Sequence, residues 1–175
     1  MFRYLRPPCQ AREWGDRALG LGAVSPSRVH VGVVGAGTCS EDVARQAERV
    51  GRAVAREGAV LVCGGLGGVM EAAARGARRE GGLTLGLLPG VDRQAANEFI
   101  DCAVATGLGH FRNFLIAQTS DAFVAVAGRY GTLSEIAMAL NLGKPVIGLG
   151  SWEIDGVLRA SSPEEAVRLA LASVR

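Results

Sequence analysis

Three charged residues sit where their neighbours invite chemistry: Glu71, Arg112 and Glu135. Glu71 follows Cys63-Gly64-Gly65-Leu66-Gly67-Gly68-Val69-Met70, and Glu135 follows Gly128-Arg129-Tyr130-Gly131-Thr132-Leu133-Ser134. A glycine loop running into a helix presents free backbone N–H groups and the positive end of the helix dipole, which suits a phosphate. Each acid falls near the start of its helix. There a carboxylate serves equally as a dipole stabiliser, a capping partner, or a proton carrier. Arg112 and Asn113 open a further helix. An arginine at a helix start is usually solvated surface, but at a strand-end crevice its planar guanidinium can clamp phosphate.

A third loop, Gly35-Ala36-Gly37, is G-x-G, but Ser40 stands where a dinucleotide fingerprint has its last glycine. It reads equally as a ligand contact or a tight turn. Asn97 and Asp101 flank the exit of a strand and are weaker candidates, and His110 reads as a packing or capping residue. Neither G-x-x-x-x-G-K-[ST] nor G-x-S-x-G occurs, which argues against P-loop and nucleophile-elbow chemistry. Cys9, Cys39, Cys63 and Cys102 are far apart, and both histidines stand alone. No metal site or disulfide framework is expected, and the reducing cytoplasm is the default compartment.

The elements that must position these residues follow a regular alternation. Apolar runs at Val29–Val34, Ala59–Cys63, Leu83–Leu88, Asp101–Ala105, Ala122–Val126 and Pro145–Leu149 read as strands. Helices are expected from the Ser40 cap through Arg56, over Val69–Glu80, His110–Ser120 and Thr132–Leu142, and from Ser162-Pro163 to the C-terminus. Asp92–Phe99 reads as a loop or short helix. Apolar strands alternating with helices imply an α/β fold: a Rossmann-like, doubly wound parallel sheet in a three-layer α/β/α sandwich. Ligands in such sheets bind outside the carboxyl ends of the strands, where all three glycine loops fall.

The chain has 175 residues, net charge +2 and 25 glycines, about twice the usual share. Its length suits one domain, read as residues 29–175 behind an N-terminal extension over 1–28. The arginines are scattered, so no nucleic-acid surface is expected, and no apolar stretch is long enough to span a bilayer.

The pairing of Gly67-Gly68-Val69-Met70-Glu71-Ala72 with Tyr130-Gly131-Thr132-Leu133-Ser134-Glu135-Ile136 resembles a superfamily. It holds the lonely-guy phosphoribohydrolases, long labelled lysine decarboxylases, and the molybdenum-cofactor carrier proteins. The resemblance spans about residues 29–150 and is nearer the carrier branch, through Gly86–Pro89, Ala96-Asn97, Thr106-Gly107, Arg112-Asn113, Ser120–Ala122 and Gly143–Val146. The hydrolase motif P-G-G-x-G-T-x-E-E reads here with Ala127 for its Pro, Arg129 for its second Gly and Ser134 for its first Glu. One of two acids is missing. A lysine decarboxylase needs a Schiff-base lysine, and the only lysine, Lys144, precedes a strand at the opposite end from the crevice. That activity is rejected, and Lys144 reads as structural.

The resemblance implies a binding or carrier protein for a phosphorylated, nucleotide-like ligand such as the molybdenum cofactor, with no other cofactor required. The alternative is a nucleoside 5′-monophosphate phosphoribohydrolase with Glu135, Arg112 and Glu71 as catalytic residues. The ligand-binding set in either case is Gly35, Gly37, Gly64, Gly65, Gly67, Gly68, Met70, Asn97, Asn113, Gly128, Arg129, Tyr130, Gly131 and Thr132. A nucleotide-sensing or DNA-processing module is a third, weaker reading, because no basic stripe is present. A homo-oligomer, dimer or tetramer, is also implied.

Overall fold

The computed structural model describes residues 28–174. The expected extension therefore lies almost wholly outside the described residues. Within them, seven strands form one parallel sheet. In chain order these are β1 (His30–Gly35), β2 (Val60–Cys63), β3 (Thr84–Leu88), β4 (Cys102–Ala105), β5 (Ala122–Val126), β6 (Val146–Leu149) and β7 (Val157–Arg159). The spatial order is β4-β3-β2-β1-β5-β6-β7. The chain winds outward from β1 to β4, returns to β5 on the other side of β1, and winds outward again. The switch point of this doubly wound, Rossmann-like sheet is thus the β1–β5 seam.

Five helices cover the faces: α1 (Glu41–Arg56), α2 (Val69–Arg79), α3 (Arg112–Thr119), α4 (Tyr130–Asn141) and α5 (Pro163–Ala172). One core layer joins Val31, Val33, Leu61 and Val124 to Val50 and Val54 of α1, Ala73 of α2 and Val167 of α5. The other joins Val34, Val62, Phe123 and Ala125 to Ile116 of α3 and Ile136 of α4. The strand runs are apolar throughout because both faces are covered. Each fully buried Val, Ile or Phe here contributes on the order of 2 kcal/mol.

Local signals act as expected. Ser40 caps α1 by accepting from Val43 N–H, and Ser162 caps α5 by accepting from Glu165 N–H at 3.2 Å. Lys144 Nζ donates to the carbonyls of Gln118, at 2.7 Å, and Ser120, satisfying the C-terminus of α3. Its role is structural, as the sequence suggests. The scattered arginines are partly explained by Glu48, which accepts from Arg52, Arg75 and Arg79 and ties α1 to α2.

One strand and one helix start differ from expectation away from the glycine loops. The short edge strand β7 was not expected, because Val157-Leu158-Arg159 offers only two apolar residues and Leu158 stays exposed. The third helix begins at Arg112 rather than His110, after a 3₁₀ turn at Gly109–Phe111. Among the described residues, no helix is long and apolar enough to cross a membrane.

Candidate functional site

A crevice of about 480 Å³ opens at the carboxyl ends of β1 and β5, on the switch-point seam. Gly35 to Thr38 form its floor from the loop after β1. Met70 enters from α2, and His110, Arg112 and Asn113 from the start of α3. Arg129, Gly131, Thr132 and Glu135 come from the start of α4. This α-helix starts two residues earlier than expected, at Tyr130, and its first closed backbone ring runs from Leu133 N–H to Arg129 C=O. The preceding amides have no partner inside the helix and lie at its positive end.

Two side chains in the crevice lack the partners their burial demands. Arg112 is 8% exposed, and its Nε and Nη1 groups have no hydrogen-bond partner among the described residues. Thr132 is 2% exposed and its Oγ1 is likewise unpartnered. A buried, unsatisfied cation is costly, and such groups are normally paired or neutralised. Burial pulls the Arg112 guanidinium below its usual range, opposed by Glu135 and Cys63. Gly64 makes room for this guanidinium: a Cβ there would stand 2.1 Å from Nη1.

Glu135 is 8% exposed. No hydrogen bond or ion pair to its carboxyl is formed among the described residues, so it is not a capping group. Burial pushes its pKa up to about 7, against the opposing pull of Arg112. A carboxyl in this state carries a proton at mildly acidic pH and loses it at mildly alkaline pH. Asn113 Nδ2 donates to Ser134 Oγ at 3.1 Å, and Ser134 donates in turn to Gly131 C=O at 2.7 Å. The serine that replaces an acid of the hydrolase motif is thus engaged in holding the α4 turn to α3.

The remaining residues named from the sequence lie around this crevice rather than on its wall. Gly68 packs backbone to backbone against Ala36 and Gly37, and Val69 N–H donates to Ala36 C=O at 3.1 Å. With Gly65 and Gly67, it shapes the second loop without lining the crevice. Glu71 is not on the wall either; its carboxylate lies near the Gly67 backbone and adds to burial in raising Cys39. Asn97 donates to Leu66 C=O at 2.8 Å and braces the second loop from β3's side. Gly128 leaves space beside the Thr132 side chain, and Tyr130 is 83% exposed. Conversely, Thr38 and His110 line the crevice. The position of Thr38 between the first glycine loop and the Ser40 cap was the available signal for it. Cys63 is no nucleophile: it is fully buried and its thiol is pushed up to about 11 by that burial.

One backbone residue next to the crevice is strained. Ala127, at the end of β5, has φ +48°, a left-handed conformation that favours glycine. Ser151 Oγ donates to its carbonyl at 2.6 Å, and its N–H donates to Leu149 C=O at 3.0 Å. Ala127→Gly is expected to stabilise the protein by about 1 kcal/mol. Urea denaturation would show a raised midpoint; an unchanged or lowered midpoint contradicts strain at this position.

A doubly wound parallel sheet with an unsatisfied cation and free helix amides at its switch point defines a Rossmann-like α/β protein with a candidate anion site. More particularly, the chain belongs to the SLOG cluster4 family, whose model it matches over residues 28–173. It is 47% identical over 146 residues to an uncharacterized protein of Archaeoglobus fulgidus, covering 83% of this chain and 96% of that one. It is 36% identical over 122 residues to a cytokinin riboside 5′-monophosphate phosphoribohydrolase of Mycobacterium tuberculosis, covering 63% of this chain and 65% of that enzyme. Among solved structures it is similar to the molybdenum cofactor binding protein from Rippkaea orientalis, with TM-score 0.81, 35% identity, and coverage of 86% of this chain and 100% of that one. It is also similar to the molybdenum cofactor carrier protein of Chlamydomonas reinhardtii, with TM-score 0.75, 30% identity, and coverage of 85% and 99%. The resemblance to this superfamily, and its lean toward the carrier branch, are thus borne out.

Proposed function

We propose that the protein binds and carries a phosphorylated, ring-containing ligand, with the molybdenum cofactor as the cargo its carrier relatives suggest. The observation that carries this reading is the crevice's charge inventory. It holds one carboxyl group, Glu135, beside a buried guanidinium whose Nε and Nη1 lack partners. Arg112, Thr132 Oγ1 and the first α4 amides hold the phosphate; these orphaned donors fit a dianion. Most sugar glycosidases work with two carboxyl groups flanking the bond, and the hydrolase motif resembled here also carries two acids. Here Ser134 stands in one acid position of the hydrolase motif, and Glu71 lies off the crevice wall. The protein acts as a homo-oligomer, a reading supported by exposed apolar side chains at Val91, Leu108, Phe111 and Phe114, and the scattered cysteines support the reducing cytoplasm as its compartment.

The second reading, a nucleoside monophosphate phosphoribohydrolase, is favoured by one observation: a carboxyl with pKa about 7 suits general acid–base work. Incubation with AMP, GMP, CMP and UMP separates the two. The carrier reading expects no free base, together with thermal stabilisation by a phosphorylated pterin. Base release that disappears in Glu135→Ala would overturn it.

A further inference from the structure

Beside the anion crevice the molecule holds two exposed aromatic side chains in contact. Tyr130 is 83% exposed and Trp152 39% exposed. Their ring centroids are 6.3 Å apart with planes inclined by 28°. Tyr130 stands between Arg129 and Gly131, both on the crevice wall. Trp152 follows Ser151, whose hydroxyl is bonded to the Ala127 carbonyl at the end of β5. Trp152 also lines a hollow of about 230 Å³ at the carboxyl end of β6, with Gly148, Gly150, Ser151, Glu153 and Arg159. The two hollows therefore sit at the same end of the sheet, over adjacent strands, with Tyr130 opening α4 after β5 and Trp152 on the loop after β6.

We propose that Tyr130 and Trp152 form a ring-stacking subsite that takes the planar heteroaromatic part of the ligand while Arg112 and Thr132 hold its phosphate. The inference rests on the anion reading above and adds what recognises the rest of the molecule. Most of the Tyr130 side chain is open to solvent, so the ring face turned away from Trp152 is free to take a ligand ring. Aromatic faces of this kind bind any flat heterocycle, because every such ring offers a π-face. A nucleobase and a pterin share that chemistry.

The test uses the full chain with Trp14→Phe, so that tryptophan emission reports Trp152. The ligands are AMP, a phosphorylated pterin, ribose 5-phosphate and inorganic phosphate. At least one ring-bearing ligand is expected to quench Trp152 and to bind about tenfold tighter than ribose 5-phosphate; which one does so distinguishes base from pterin. Tyr130→Ala and Trp152→Ala, the latter read by calorimetry because it removes the reporter, are expected to bring that ratio close to one, and Tyr130→Phe to restore it. Circular dichroism confirms folding, since both side chains are exposed. Equal binding of ring-bearing and ring-free phosphates, untouched by Tyr130→Ala, overturns the subsite alone. Failure of every phosphate to bind overturns the anion reading and the subsite with it. A change in subunit association with affinities unmoved makes the pair a subunit contact and overturns the proposal.

Discussion

Titrated with ribose 5-phosphate, Arg112→Met is expected to bind about 100-fold more weakly than the wild-type protein, yet to melt at a higher temperature when ligand-free. The first effect follows from the lost hydrogen bonds. Nε and Nη1 of Arg112 are buried without partners, ready to donate to an anion. A charge-assisted hydrogen bond contributes roughly 1.5–3 kcal/mol, and about 3 kcal/mol is about 100-fold in affinity. The second effect follows from the same vacancy. With no ligand, a desolvated cation has lost its water and gained only the fields of Glu135 and Cys63, without a hydrogen bond to Nε or Nη1. Methionine keeps much of the side-chain volume and carries no charge to desolvate. Binding sites commonly hold such local cost, and relieving it stabilises the fold at the expense of function. Gly64→Ala reaches the same guanidinium by another route, because its Cβ would meet Nη1 at 2.1 Å and Nη2 at 2.5 Å. It should weaken the same ligand. A phosphate affinity unchanged in Arg112→Met would remove the anion site from this crevice.

The elements around that site were largely legible, and the reasons are local. Strands β1, β2, β3, β5 and β6 are apolar runs long enough to be buried on both faces, and Ser40 and Ser162 carry their capping hydrogen bonds within three residues. The partners of the glycines were not legible, because they are set by tertiary neighbours. Gly64 admits a side chain from α3, and Gly68 admits the backbone of the first loop. Gly51 and Gly76, inside helices, let α1 and α2 cross at backbone contact, where a Cβ would meet Ala73 O at 1.9 Å or Glu48 O at 2.0 Å. Glu135 had a signal that its closeness to a helix start obscured. Thr132, Glu135, Ile136 and Ala139 share one buried face at helical spacing. A carboxyl on such a stripe is desolvated, not merely aligned with a dipole. Arg112 and Asn113 stand on the equivalent stripe of α3 with Ile116 and Ala117.

That desolvation makes Glu135→Gln the sharpest probe of the site. In the folded protein Glu135 releases its proton near pH 7, whereas the unfolded chain releases it near 4.5. Between these values the unfolded state has lost a proton that the folded state retains. Rising pH therefore favours unfolding across this window, and the penalty is constant above it. At about 1.4 kcal/mol per pH unit, the cost at pH 8 is on the order of 3 kcal/mol. Glutamine cannot ionise and escapes it. The variant is expected to gain stability over wild type by about that amount on going from pH 4.5 or below to pH 8. The paired carboxylates Glu48 and Glu164 have lowered pKa values, so both proteins lose stability together in acid. That shared loss cancels in the difference, and any cost of placing an amide beside Arg112 is a constant offset that leaves the change of the difference with pH untouched. Urea denaturation of the pair from pH 5 to pH 8.5 gives the curve. A difference that does not grow with pH would mean that Glu135 is solvated. A phosphate seated on Arg112 draws the guanidinium's field away from Glu135 and adds a negative charge nearby, so the carboxyl holds its proton more tightly. Saturating ribose 5-phosphate should then move the upper bend of the wild-type curve to higher pH, and the Glu135→Gln variant should show no such bend.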